Sequence, residues 1–131
     1  MNTKSLLKTL VETESPSHDK SAVDRVGAIV TDEVRKLGAQ VEIIPNQETG
    51  DHVLARFPSP AGRGARGEGG ILLLCHMDTV FPLGTIQKTP FREDGEKTFG
   101  PGTLDMKAGI VISLAAIEQA QIGRASCRER V

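Results

Sequence analysis

Leu6, Leu7, Leu10 and Val11 recur at the spacing of one helical face, which predicts a short helix over residues 3–13. The stretch ESPS, residues 14–17, interrupts it. Ser17 is placed to cap the next helix, with Asp19 favourable in its first turn. Val23, Val26, Val30, Val34 and Leu37 continue at helical spacing, and Gly38 suits the position just past the end. The period then changes to two. Ala39, Val41 and Ile43 alternate along one strand, Val53, Ala55 and Phe57 along a second, and NQETGD turns between them. The run GILLLC, residues 70–75, is apolar on both faces and predicts a central buried strand. TPFRED and GEKTFG predict two short edge strands around Asp94-Gly95, a strong hairpin dipeptide. From Asp105 to Gln121 the chain reads as a helix. Its apolar character from Ile110 to Ile117 goes almost all round, so burial on most sides is expected. Helices interleaved with strands argue an α/β fold with one central sheet.

The glycine-rich connection at residues 58–70 resembles a phosphate loop only in composition. No Lys-Ser or Lys-Thr follows, and a strand comes next, so it reads as a hairpin loop. The chain has 131 residues, the size of one small domain. It has no Trp, no Tyr and only four Phe, so the core must be aliphatic. A net charge of -1 gives no sign of nucleic-acid or membrane-surface binding. No apolar run approaches the roughly 20 residues that span a bilayer. The first apolar cluster is broken by Lys8 and Glu12, unlike a signal-peptide core, and a cytoplasmic protein is expected. Cys75 and Cys127 make no disulfide framework.

Residues 122–131, IGRASCRERV, carry three Arg and change the character of the chain abruptly. Their codons can be written as an in-frame reading of a sequencing adapter. They are read as an artefactual tail on a truncated gene and set aside from fold reasoning. On this reading the natural protein continues beyond Gln121.

Two stretches carry chemistry. The first, CHMDTV, follows the apolar run directly. In α/β sheets ligand sites gather beyond the carboxyl ends of strands, where His76 falls. A neutral imidazole is the commonest metal ligand. Asp78, two residues on, would share its face and could hold the far ring nitrogen. By itself HMD is more often a satisfied polar pair at a strand end than a metal site. The second stretch is GPGTLDMKAG. Its glycines permit a tight turn, and Asp105 falls at a helix N-terminus, where the dipole keeps a carboxylate ionised. An ordinary capping Asp has the same appearance. Lys107 reads as paired with a carboxylate or, more simply, as solvated.

Together, HMDTV and GPGTLDMKAG, with 29 positions from His76 to Asp105, resemble the di-zinc aminoacylases and carboxypeptidases. That family includes glutamate carboxypeptidase, acetylornithine deacetylase and succinyl-diaminopimelate desuccinylase. The resemblance runs over most of residues 3–121 and is closest to the glutamate carboxypeptidase branch, which has GPG where the deacetylases have GRG. It implies a truncated zinc-peptidase-like α/β catalytic domain, a central mixed β-sheet flanked by helices, with residues 1–121 as its N-terminal part. It implies His76 as a terminal zinc ligand, Asp105 as the carboxylate bridging two zincs, and Asp78 as the catalytic acidic residue that orients a ligand. Co2+ or Mn2+ could replace Zn2+. A cis Asp105–Met106 peptide also follows from the resemblance. The implied activity is metal-assisted hydrolysis of an amide bond in a small peptide or N-acyl amino acid. The family's Glu-Glu pair, further acidic ligand and late His have no counterpart here, and neither does its dimerising domain. His18 and His52 match no motif position and are expected at the surface. The competing readings are a metal-free binding module of the same fold and a non-catalytic fragment.

Overall fold

A computed structural model of the chain describes residues 1–57 and 71–128, with side chains described as far as Gln121. The hairpin-loop reading of residues 58–70 falls outside the described residues, as do the side chains of the arginine-bearing tail.

Helix α1 spans Thr3–Glu12. The side chain of Asn2 caps it by accepting from the Ser5 N–H at 3.0 Å. Its apolar face buries Leu6, Leu10 and Val11. Helix α2 spans Lys20–Lys36 and ends at Gly38, whose φ of 84° is the left-handed conformation expected after a helix. Here one assignment changes. Asp19 rather than Ser17 caps α2, accepting from the Ala22 N–H at 3.0 Å. Ser17 is drawn away by tertiary contacts with residues 78 and 79.

Strands β1 (Gln40–Ile44) and β2 (His52–Arg56) pair antiparallel, from Gln40↔Arg56 to Ile44↔His52. This register places Val41 opposite Ala55, and both pack on the core. A four-residue helix α3 (Thr85–Lys88) precedes a second hairpin, β3 (Arg92–Asp94) with β4 (Lys97–Phe99). It turns at Gly95 as the dipeptide Asp94-Gly95 indicates, and the Arg92 guanidinium stacks 3.9 Å above the Phe99 ring. Helix α4 spans Ala108–Arg128. The core joins three helices: Leu6 and Leu10 of α1, Val26 and Val34 of α2, and Ile110, Val111 and Leu114 of α4.

The α/β character holds, but the sheet takes a different form from the single central one expected. The described residues form two separate two-stranded antiparallel sheets. Among the described residues the run Ile71–Leu74 is extended chain without a paired strand, and the four residues are 91, 78, 53 and 84% exposed. A strand apolar on both faces needs neighbours along both edges and layers above and below it. None of these is present among the described residues. Only further on does the segment dock, where Thr79 forms a parallel bridge with Pro16.

The second difference lies at α4. It begins at Ala108, three residues after Asp105. Thr103–Lys107 form a π-type turn in which Asp105 (φ -123°, ψ 98°) and Met106 (φ -132°, ψ 34°) are non-helical, and the Asp105–Met106 peptide is cis. Asp105 is therefore not an ordinary capping residue. Burial of α4 is also one-sided, since Ile112 is exposed while Ile110, Val111 and Leu114 are buried.

Candidate metal centre

Two chain segments converge to bring the expected site residues together. One is the extended segment that ends in CHMDTV. The other is the turn GPGTLDMK. Their contact depends on the absence of side chains at the turn. Gly102 has φ 71°, and a Cβ added there would lie 2.4 Å from Thr79 Cγ2. At Gly100 it would meet Val11 Cγ1 at 2.6 Å. Larger residues would push the turn off both α1 and the CHMDTV segment.

His76 is the hub. Its Nε2 lies 2.8 Å from Asp105 Oδ1. On the other side Nδ1 lies 3.1 Å from the Asp78 carbonyl oxygen and 3.2 Å from Asp78 Oδ1. Burial alone would lower the His76 pKa, but the oxygens of Asp105 and Asp78 outweigh it and raise the value above 6.5. Asp78 is held below the ordinary carboxylate value, first by a hydrogen bond from the Ser17 hydroxyl to Oδ2 at 2.5 Å. Asp105 is open to solvent, its side chain 84% exposed. A cavity of about 350 Å³ opens over the site, lined by Ser17, His76, Asp78 and Asp105 with the apolar rim of Phe81 and Leu104. A second hollow of about 290 Å³, between α2 and β2, contains Asp24 and Asp51 but no His or Cys.

The donor set suits part of a metal centre. An imidazole nitrogen and a carboxylate oxygen face each other, and the far imidazole nitrogen has acidic and carbonyl acceptors, the arrangement that fixes a metal-binding tautomer. At 2.8 Å the pair is closed in a hydrogen bond, so a cation bound by both must enter between them. No group of three or more His, Cys, Asp or Glu is placed to hold a metal among the described residues. The described residues thus offer two candidate ligands of the four usual for zinc.

Two participants escape a reading of the sequence. Lys107 is not solvated: it is 1% exposed. Its ammonium donates to the carbonyls of Leu10 at 2.7 Å and Thr13 at 2.8 Å, the open C-terminal end of α1. Burial lowers its pKa to about 8, opposed by the charge of Glu14. Glu14 in turn accepts from the N–H groups of Gly84 and Ile86 at 2.8 and 3.0 Å, tying the end of α1 to α3. Ser17 is the other. The only signal for either was position, Lys107 two residues after Asp105 and Ser17 in the break between helices. His18 and His52 are exposed and stand apart from the site. Cys75 is a free, exposed thiol.

Comparison with known proteins bears on the same segments. Residues 72–126 match Peptidase family M20/M25/M40, a span that holds His76, Asp78 and Asp105 and runs as far as Ser126. Carboxypeptidase G2 of Pseudomonas sp. (strain RS-16) is 32% identical over 114 residues, covering 86% of this chain and 26% of that protein. The acetylornithine deacetylase of Photorhabdus laumondii subsp. laumondii is 34% identical over 129 residues, covering 91% of this chain and 32% of that enzyme. That of Pasteurella multocida is 37% identical over 93 residues, covering 67% of this chain and 22% of the enzyme. The chain therefore spans between 22 and 32% of the length of these relatives.

Proposed function

The chain belongs to peptidase family M20/M25/M40, and we propose from that premise that residues 1–121 are the amino-terminal part of a zinc-dependent hydrolase. Its reaction is cleavage of an amide bond in a small peptide or an N-acyl amino acid. The observation that carries this reading is the convergence of His76 and Asp105, 29 positions apart in sequence, to 2.8 Å. Asp78 holds the opposite side of the same imidazole.

Zinc, two ions in the complete site and replaceable by Co2+ or Mn2+, supplies Lewis acidity and a water whose proton is readily lost. The residues of this chain prepare for that chemistry. Asp78 faces Nδ1 of His76, the side away from Asp105, and as an acceptor there would raise the basicity of Nε2 toward a metal. Asp105 contributes negative charge from an exposed carboxylate and, with His76, would hold the metal. The general base and the remaining ligands lie in sequence that this chain does not contain. The 131 residues alone are accordingly inactive, since general-base help is worth about 10²–10⁴ in rate and too few donors remain to hold two cations. The GPG turn favours a glutamate-releasing carboxypeptidase over a deacetylase. The whole enzyme is cytoplasmic, acts on a small substrate rather than on nucleic acid or a membrane, and dimerises through its further domain. Among the described residues no helix is long and apolar enough to cross a membrane.

The test is a Zn2+ titration of the purified chain followed by 15N NMR at the His76 ring. Selective shifts at Nε2 and, by 13C NMR, at the Asp105 carboxylate are expected, lost in His76→Ala. Zinc-independent spectra at both residues would instead support a metal-free binding module of the same fold. A full-length polypeptide containing residues 1–121 should hydrolyse a folate-glutamate or acyl-amino-acid substrate, and the 131-residue chain should not. Independent DNA reads past Gln121 decide whether residues 122–131 are an artefact. A natural tail is what the family match as far as Ser126 would favour.

A further inference from the structure

The connector between α1 and α2 does more than join two helices. Ser15 Oγ donates to the Met77 carbonyl at 2.8 Å, and the Thr79 N–H donates to the Ser15 carbonyl at 2.7 Å. The Ser17 N–H donates to the Thr79 carbonyl at 3.0 Å. These bonds lay residues 15–17 alongside residues 77–79 as a short parallel strap. Ser15 is fully buried, so this strap is part of the packed interior rather than a surface loop. The strap delivers one polar side chain to the site. Ser17 Oγ lies 2.5 Å from Asp78 Oδ2 and 3.1 Å from the Thr79 carbonyl oxygen. A hydroxyl has a single hydrogen to donate. The shorter contact is to an ionised acceptor, and charge-assisted O–H···O⁻ bonds are both shorter and stronger than neutral ones. The proton therefore goes to Asp78. The same carboxylate presents its other oxygen, Oδ1, to His76 Nδ1.

We propose that Ser17 is a positioning residue for the His76 centre: its hydroxyl fixes the rotamer of Asp78, and Asp78 orients the His76 ring toward Asp105. This rests on the reading of His76 as a metal ligand, and it adds a residue that the two site motifs do not contain. The physical reason is that Asp78 sits on a segment with little secondary structure to hold it. The carboxylate is partly exposed and free to turn to solvent unless a donor on the other side holds Oδ2. The Ser17 hydroxyl is that donor. Groups that orient a metal-binding histidine in this way change metal affinity or activity by about 10–100-fold when removed.

The experiment compares Ser17→Thr with Ser17→Val in the 131-residue chain. The two side chains have the same branched shape and differ in the hydroxyl. Three quantities are read by NMR: the side-chain rotamer populations of Asp78, the apparent Zn2+ affinity at the His76 ring, and amide exchange at Ser17 and Thr79, which reports the backbone strap. The expected result is one Asp78 rotamer and wild-type zinc affinity in Ser17→Thr. Ser17→Val should give averaged Asp78 rotamers and affinity at least about tenfold weaker, with exchange at both amides the same in the two variants. If Ser17→Val keeps a single Asp78 rotamer, or binds Zn2+ as tightly as Ser17→Thr, the positioning role is overturned while the metal reading stands. If wild type shows no zinc response at His76, the metal reading falls instead. The rotamer comparison then still decides whether Ser17 holds Asp78. If exchange at Thr79 rises in Ser17→Val and not in Ser17→Thr, the hydroxyl serves the strap rather than the carboxylate, and the proposal fails.

Discussion

Leu10 and Leu72 are the same residue in two regions that differ in every other respect. Leu10 is fully buried among α1, α2 and α4, whereas Leu72 is 78% exposed on an extended segment with no paired strand among the described residues. In the helical region each apolar stripe finds another stripe within this chain. In the 71–74 run, four apolar side chains project on both sides of the backbone and find none among the described residues. The contrast teaches that hydrophobic pattern specifies what an element must bury, while burial itself depends on partners that can lie far away in sequence. The candidate site stands at the junction of the two regions. His76 and Asp78 come from the unpartnered segment, and Asp105 comes from the turn that enters the packed helix.

The comparison is broken most severely by cutting into the helical side. Leu10→Ala should cost about 2–5 kcal/mol, because it removes buried methyl groups and leaves a cavity that rigid helices fill only partly. Urea denaturation followed by far-UV circular dichroism measures it. A loss below about 1 kcal/mol would mean that the three-helix core is loosely packed.

The same contrast explains what could be read from the sequence. Helices α1 and α2 and both hairpins were legible because their signals are local: apolar spacing, a glycine after α2, Asp94-Gly95 at a turn. His76, Asp78 and Asp105 were legible as two motifs, and the structure brings the three together. What stayed hidden depends on tertiary contact. The apolar run looked like a central strand because the sequence pattern carries no information about who pairs with it. Ser17 looked like a cap, yet Asp19 took that role because Ser17 is engaged by Asp78 and Thr79. Lys107 looked solvated because a buried ammonium reaching the end of another helix has no sequence signature.

Lys107 offers the next sharpest test of how the two regions are joined. It links the turn carrying Asp105 to the C-terminal end of α1. Lys107→Met keeps the length and much of the apolar stem but leaves two carbonyls without their donor. The bond to Leu10 is buried and the bond to Thr13 only partly so, and one buried, unsatisfied group costs about 1–3 kcal/mol, so a loss in that range is expected from equilibrium unfolding. Amide protection in α1 should fall with it. An unchanged α1 would show that water replaces the ammonium at no cost.

Acid should act on α2, at the far edge of the packed region, and more gently. Asp19 is held below its ordinary value of 3.8 first by the hydrogen bond from the Ala22 N–H. Asp51 is held below the same value of 3.8 first by Lys20, which also pairs with Asp24. Folding lowers both values, so the unfolded chain binds more protons as pH falls toward them. The stability they contribute is present in full above about pH 4 and lost as pH drops through the lowered folded values. Thermal unfolding between pH 5 and 2.5 should show this loss. Asp51→Asn should flatten part of it, and added salt should flatten it further because the groups face solvent. A profile unmoved by Asp51→Asn would place the acid sensitivity elsewhere.

The smallest expected effect on stability is also the most informative about the unpartnered segment. Leu72→Ser changes a side chain that touches little, and surface substitutions of this kind usually stay within about 0.5 kcal/mol. Unfolding of the 131-residue chain should therefore be nearly unaltered. Solubility should improve, because a flat apolar segment with free backbone donors and acceptors is a template for pairing with other copies. In a full-length protein whose further strands flank residues 71–75, the same substitution would bury a hydroxyl in a sheet core. It would then cost several times more, about 2–5 kcal/mol by analogy with other buried leucines. Measuring Leu72→Ser in both contexts converts the comparison of regions into a single number. A large loss in the short chain would mean that the run is already paired there. Equal, small losses in both would mean that the run remains an exposed edge in the complete protein as well.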